Sequence, residues 1–117
     1  FTGDGHATQG DGEITGVACE IPTKVTLSFE VIKGKKIGWP RIVSDEFIMV
    51  AGSARPLDDA VRIACVELID WMVSDYGFAR LEAYHLIGQV MQMRLGNMVD
   101  PNYTAVAKMP RRYLPGN

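Results

Sequence analysis

Four of the ten residues from position 3 to 12 are glycine: Gly3, Gly5, Gly10 and Gly12. A backbone so free of side-chain constraint does not hold a helix and favours an irregular, tightly turning loop. Between and after these glycines stand Asp4, His6, Asp11 and Glu13. Carboxylate and imidazole groups are the ligands that Zn²⁺ and similar divalent ions accept. Asp4 and His6 are two apart, so on an extended segment they share one side and could reach one ion. A third ligand would have to come from Asp11 or Glu13 if the loop folds back. Alternatively, Glu13 is a general base placed beside a metal site. The plainer reading is a glycine-rich turn whose acids cap backbone N–H groups. Two familiar loops are excluded. An EF-hand starting at Asp4 needs an acidic residue where Thr15 stands, and the Gly-Lys-Ser/Thr of a phosphate-binding loop is absent.

Beyond the loop the hydrophobic period is two. Thr15, Val17, Cys19 and Ile21 share one face of an expected strand that Pro22 ends. The clearest alternation runs over 24–32. Val25, Leu27, Phe29 and Val31 point one way, Thr26, Ser28 and Glu30 the other. Gly34, among lysines, marks a polar turn. Ile42 and Val43, then Phe47 to Val50, give one or two further strands.

The period then changes to three and four. Leu57, Ala60, Val61, Ala64, Leu68 and Met72 predict a helix. Pro56 suits its first turn, Asp58 and Asp59 complement its N-terminus, and Gly77 suits its stop. Ile63, Val66, Ile69 and Val73 lie on its other sides, so burial on more than one face is expected. A second helix is predicted over 79–95, with a polar stripe of Glu82, His85, Gln89 and Gln92. The two would form an αα-hairpin. Pro101 stops helical structure, and 104–109 reads as a last short strand. Strands, an αα-hairpin and a final strand make an α+β fold of antiparallel or mixed strands, one domain over 1–117.

A chain of 117 residues, 47% of them apolar, can form one core but leaves much of its surface wet. A net charge of −2, without a basic stripe, gives no basis for nucleic acid or anionic membrane as a partner. No run is long and apolar enough to span a bilayer. The polar, glycine-rich start is unlike a signal peptide. Cys19 and Cys65 form no CxxC pair, which argues against a zinc knuckle or a disulfide scaffold and makes a reducing cytoplasm the expected setting.

Both cysteines sit in apolar stretches, where burial would keep a thiol inert. None of Ser28, Ser44, Ser53 and Ser74 lies in a Gly-x-Ser-x-Gly elbow. Phe1 has no hydroxyl or thiol to serve as an N-terminal nucleophile. His85, on a polar helical stripe, reads as a surface residue. Trp39 and Trp71 read as packing residues, and Arg111 and Arg112 as a solvated charge pair.

Residues 3–13 resemble the glycine-rich signature of the acetamidase/formamidase family, and 14–21 the strand that follows it. Asp58, Asp59 and Ala60 resemble part of a family helix, and Leu81, Glu82, Ala83 and Tyr84 a Glu-Ala-Tyr motif. Residues 97–114, with Val99-Asp-Pro-Asn-Tyr and a Pro-x-x-Tyr-Leu ending, resemble the family's C-terminal strand. The chain departs from the pattern at Gly88, Met91 and Gln92. The resemblance implies the C-terminal portion of a longer, zinc-associated hydrolase that releases ammonia from formamide, acetamide and short relatives. Asp4 and His6 would be metal ligands and Glu13 a catalytic acid/base, with Asp11 a further candidate for either role. The implied partners are a small amide and the upstream segment or another chain, in a homo-oligomer such as a dimer. The competing reading is a non-catalytic fragment or subunit that completes a partner chain.

Overall fold

The computed structural model describes residues 3–116. Phe1, excluded above as a nucleophile, lies outside them.

A four-stranded antiparallel sheet carries the core. Its strands are β3 (Arg41–Val43), β4 (Phe47–Ala54), β5 (Gln92–Asn97) and β6 (Tyr103–Pro110), in the spatial order β3-β4-β6-β5. A separate two-stranded ladder pairs β1 (Gly5–His6) with β2 (Glu20–Ile21). Helices α1 (Leu57–Tyr76) and α2 (Arg80–Val90) lie between β4 and β5 in sequence. The expected α+β architecture is present, with two strands after the helices where one was expected.

Alternation along β4 and β6 points Ile48 and Val50, with Ala105, Ala107 and Met109, at the helices, and all five are fully buried. Helix α1 answers with Ala60, Ala64, Leu68 and Met72, also fully buried, and α2 adds Ala83 and Ile87. Burying such side chains supplies the main drive for folding, about 25 cal/mol per Å² of apolar surface. The helix sits so close because position 52 has no side chain. A Cβ there would lie 2.5 Å from the Ala60 carbonyl oxygen and 2.7 Å from the Ala64 nitrogen. Gly77 ends α1 in the left-handed region, its N–H bonded to the Met72 carbonyl. Val66 and His85 are exposed, so the helix surfaces are more open than the apolar residues around α1 suggest.

Three expectations are corrected. The second helix ends at Val90, not 95, and 92–97 is strand β5. Gln, Met, Arg and Leu are good helix formers, but Met93 and Leu95 pair opposite Ala107 and Ala105 of β6, and that tertiary ladder overrides propensity. Cys19 is exposed, not buried, because the strand expected from Thr15 to Ile21 shortens to its last two residues. Residues 24–32 form no ladder with any described residue, and their alternating apolar side chains face solvent. Alternation marks a strand but cannot say where its partner is.

The polar residues near the core serve as fasteners. Arg41 pairs with Glu67 at 2.7 Å, and its guanidinium stands 5.1 Å from the centre of the Trp71 ring. The partner Glu67 is the one charged residue among the buried ones described. Arg111 donates to the Ser44 carbonyl at 3.2 Å and so ties the end of β6 to the β3–β4 turn. Among the described residues no helix is long and apolar enough to cross a membrane.

Candidate functional site

The glycine-rich loop becomes a candidate site by pairing with a segment fourteen positions on. In the antiparallel ladder His6 stands opposite Glu20 and Gly5 opposite Ile21. Flanking bonds extend the pairing: Ala7 N–H donates to the Cys19 carbonyl at 2.8 Å, and Cys19 N–H to Thr8 at 3.1 Å. The period of two carries Asp4 to the face of the ladder that holds His6 and Glu20. One ligand atom each from Asp4, His6 and Glu20 lies within 4.8 Å of the other two, and all three residues are exposed.

Hydrogen bonding orients this cluster. His6 Nε2 is 3.0 Å from Glu20 Oε2, and Nδ1 is 2.9 Å from Gln9 Oε1. With Nδ1–H donating to Gln9, Nε2 is the ring atom aimed into the cluster. Metal-binding histidines are oriented this way, one nitrogen held by an outer acceptor and the other left for the ion. The hydrogen bond to Gln9 raises the His6 pKa, and the negative charges of Glu20, Glu13 and Asp4 add to it. The two carboxyls lie close enough to act on each other. The bond from Glu20 lowers the pKa of Asp4, while the same bond raises that of Glu20. Carboxyl groups this close repel each other when both are ionised, a repulsion that a bound cation would relieve. One nitrogen and two oxygen donors match the three protein ligands of an open zinc site.

The sequence reading named Asp4, His6, Asp11 and Glu13, and these four part company. Asp4 and His6 come together. Glu13 stays outside the ligand set, yet near enough for its charge to act on His6. It has a left-handed φ of 46° and follows Gly12, at 77°, so the chain reverses sharply there. Asp11 faces away. Its carboxylate makes a two-pronged pair with the Arg94 guanidinium of β5, which lowers the Asp11 pKa. Beside it, Met98 N–H donates to the Gly12 carbonyl at 2.8 Å. Asp11 and Gly12 thus clip the site loop to the main sheet. Glu20 was not among the expected residues. The signal for it was present: in an apolar face of Thr15, Val17, Cys19 and Ile21, residue 20 must point the other way, beside His6 if the two segments pair.

His85 is exposed and outside the cluster. Burial raises the Cys65 pKa, which leaves its thiol a poor nucleophile.

The sequence profile of the Acetamidase/Formamidase family matches residues 1–114. Among solved structures, an acetamidase from Yersinia enterocolitica is 50% identical and superposes with a TM-score of 0.88 over 92% of this chain and 32% of its own. A recombinant predicted acetamidase/formamidase from the thermophile Thermoanaerobacter tengcongensis is 30% identical, with a TM-score of 0.83 over 92% of this chain and 36% of its own. An acetamidase from Bacillus halodurans is 29% identical, with a TM-score of 0.81 over 92% and 37%. The chain therefore spans about a third of the length of the structures it matches. No curated protein matches it.

Proposed function

The chain belongs to the acetamidase/formamidase family, and from that membership we propose that it supplies part of the active site of an amide hydrolase. The substrates would be short linear amides such as formamide and acetamide, cleaved to a carboxylate and ammonia. The observation that carries the reading is the convergence of Asp4, His6 and Glu20 inside the loop whose sequence resembles the family signature.

In this reading Asp4, His6 and Glu20 hold a divalent ion, with zinc the best match to their donor atoms. When bound, such an ion supplies Lewis-acid polarisation of a carbonyl and activation of water. Gln9 keeps His6 in the tautomer that presents Nε2. Glu13 is the general acid/base. Its carboxylate takes a proton from the attacking water and delivers it to the leaving nitrogen as the C–N bond breaks. Asp11 has a different task, holding the loop to β5 through Arg94. The competing reading, a non-catalytic piece that completes a partner chain, agrees with the share of the relatives' length that is spanned but leaves the cluster unexplained.

A cytoplasmic setting and a homo-oligomeric assembly belong to the same proposal. The two free thiols suit a reducing compartment.

The test is ammonia release from formamide by this chain joined to the remainder of the family fold. His6→Ala and Glu20→Gln should each lower kcat/KM by about a hundredfold or more, the loss typical of a weakened metal or general-base site. Turnover equal to the parent in both variants would overturn the assignment.

A further inference from the structure

Residues 24–32 have the side-chain pattern of a β-strand and the surroundings of none. Val25, Leu27, Phe29 and Val31 are 60%, 52%, 90% and 81% exposed. Among the described residues none of their backbone groups has a ladder partner. The segment is nevertheless held at both ends. Before it, Thr23 packs on Gly5 so closely that a Cβ at Gly5 would lie 1.9 Å from Thr23 Cγ2. After it, Lys35 pairs with Asp75 of α1. An extended span with four apolar side chains in water and its amides unpaired is not stable on its own terms.

Most of the chain follows the relatives' course. The superposition on the Yersinia enterocolitica acetamidase takes in 92% of this chain. The remainder, about 9 of 117 residues, is shorter than the 19-residue stretch from Pro22 to Pro40. At least half of that stretch is therefore matched to the relative. The relatives carry about two thirds of their length outside the matched part.

We propose that residues 24–32 are an interaction strand, which pairs with a strand of the family fold lying outside this chain and buries Val25, Leu27, Phe29 and Val31 against it. Strand addition at an unpaired edge supplies backbone hydrogen bonds for affinity, and the alternate side chains set the register. The bonded occupant is the rest of the family fold and not a second copy, because relatives matched over 92% of this chain hold about two thirds of their own length outside the match, in the same polypeptide. The inference rests on family membership and is independent of the metal-site reading, since its readout needs neither ion nor substrate.

Amide hydrogen exchange tests it on two proteins. One is the 117-residue chain. The other is a chimera in which this chain replaces the matched third of the Yersinia enterocolitica acetamidase. Amides of 24–32 should exchange at nearly free-peptide rates in the first and at least about tenfold more slowly in the second, as ladder amides do. Leu27→Lys with Phe29→Lys should leave the melting midpoint of the short chain unchanged and lower that of the chimera. Slow exchange of 24–32 in the short chain would point to self-pairing between copies and overturn the proposal. So would fast exchange in a folded chimera. If the chimera does not fold, the same measurement on the unmodified Yersinia enzyme, over the residues matched to 24–32, decides between the same two outcomes.

Discussion

His6 shows how much of a site a single imidazole can organise. Its Nδ1 is satisfied by Gln9 and its Nε2 points at Glu20, so hydrogen bonding alone settles the ring's orientation. That arrangement fixes a pH dependence. Because the His6 pKa is raised, the folded site holds the ring proton to higher pH than a free histidine does. The contribution of that proton to stability is present below the ordinary histidine value and lost as pH rises through the raised one. A metal needs the deprotonated ring, so zinc uptake should strengthen over the same window. Calorimetric titration with zinc at pH 6 and pH 8 should show affinity higher at pH 8 by about tenfold or more, and Glu20→Gln should weaken it at both. Equal affinity at the two pH values would mean that His6 is not a ligand. Asp11 follows the opposite sign. Its pKa is lowered by Arg94, so the clip to β5 is in place above the ordinary carboxyl range and lost as pH falls through the lowered value. Arg94→Ala should speed exchange of the Met98 amide, which bonds to Gly12 in the clipped loop, while leaving the helices folded. Unchanged Met98 protection would show that the clip does not hold the loop.

At the scale of elements, local signals were legible where partners were local. Helix α1 declared itself through three-and-four spacing, acids in its first turn and Gly77 at its end. Strand β4 was legible as far as Val50 and β6 over 104–109, though β4 runs on to Ala54. The boundary between α2 and β5 was not, because Gln92 to Leu95 favour a helix on their own and only the β6 ladder reverses that. Glu20 went unnoticed for a related reason. Its place beside His6 depends on a strand register, which no spacing within the glycine-rich loop contains. Residues 24–32 are the extreme case, an alternation that finds no ladder partner among the described residues. The contact between α1 and β4 gives a sharp test of packing. Gly52→Ala should destabilise the fold by about 1–3 kcal/mol, the usual cost of forcing a methyl into a filled core. Urea unfolding measures it, and a neutral result would mean that α1 can slide outward without loss. Glu67→Ala probes the polar fastener on the same helix. It removes the nearer of the two carboxylates around the Arg41 guanidinium, leaving Asp75 at 3.8 Å, and should cost about 1–3 kcal/mol, as removing one partner of a buried polar group does. A cost below about 0.5 kcal/mol, the level of an exposed pair, would show that water reaches Arg41 freely.

For the whole molecule the question is whether a donor cluster amounts to an enzyme. Asp4, His6 and Glu20 supply enough ligands for one ion, yet all three are exposed. The Glu20 side chain is 53% accessible. Amide hydrolysis depends on preorganised charge acting where water is largely excluded, since electrostatic stabilisation weakens steeply as the local dielectric rises. An open ladder of two short strands offers no such enclosure for the substrate carbonyl. The chain also spans only about a third of the length of the acetamidases it resembles, so walls and further polar groups have ample chain to come from. The expectation is a divided result: residues 1–117 bind zinc at about one ion per chain but release ammonia from formamide at the rate of a buffer control. Joining the chain to the remainder of the family fold should restore turnover, and His6→Ala in that joined protein should remove it again. Zinc content by atomic absorption and ammonia by a coupled assay, on the same preparations, separate the two properties. Turnover by the short chain at the rate of the joined protein would mean that the exposed cluster is already a complete active site. A short chain that takes up no zinc would mean that the ligands converge only when the remainder of the family fold is joined to it.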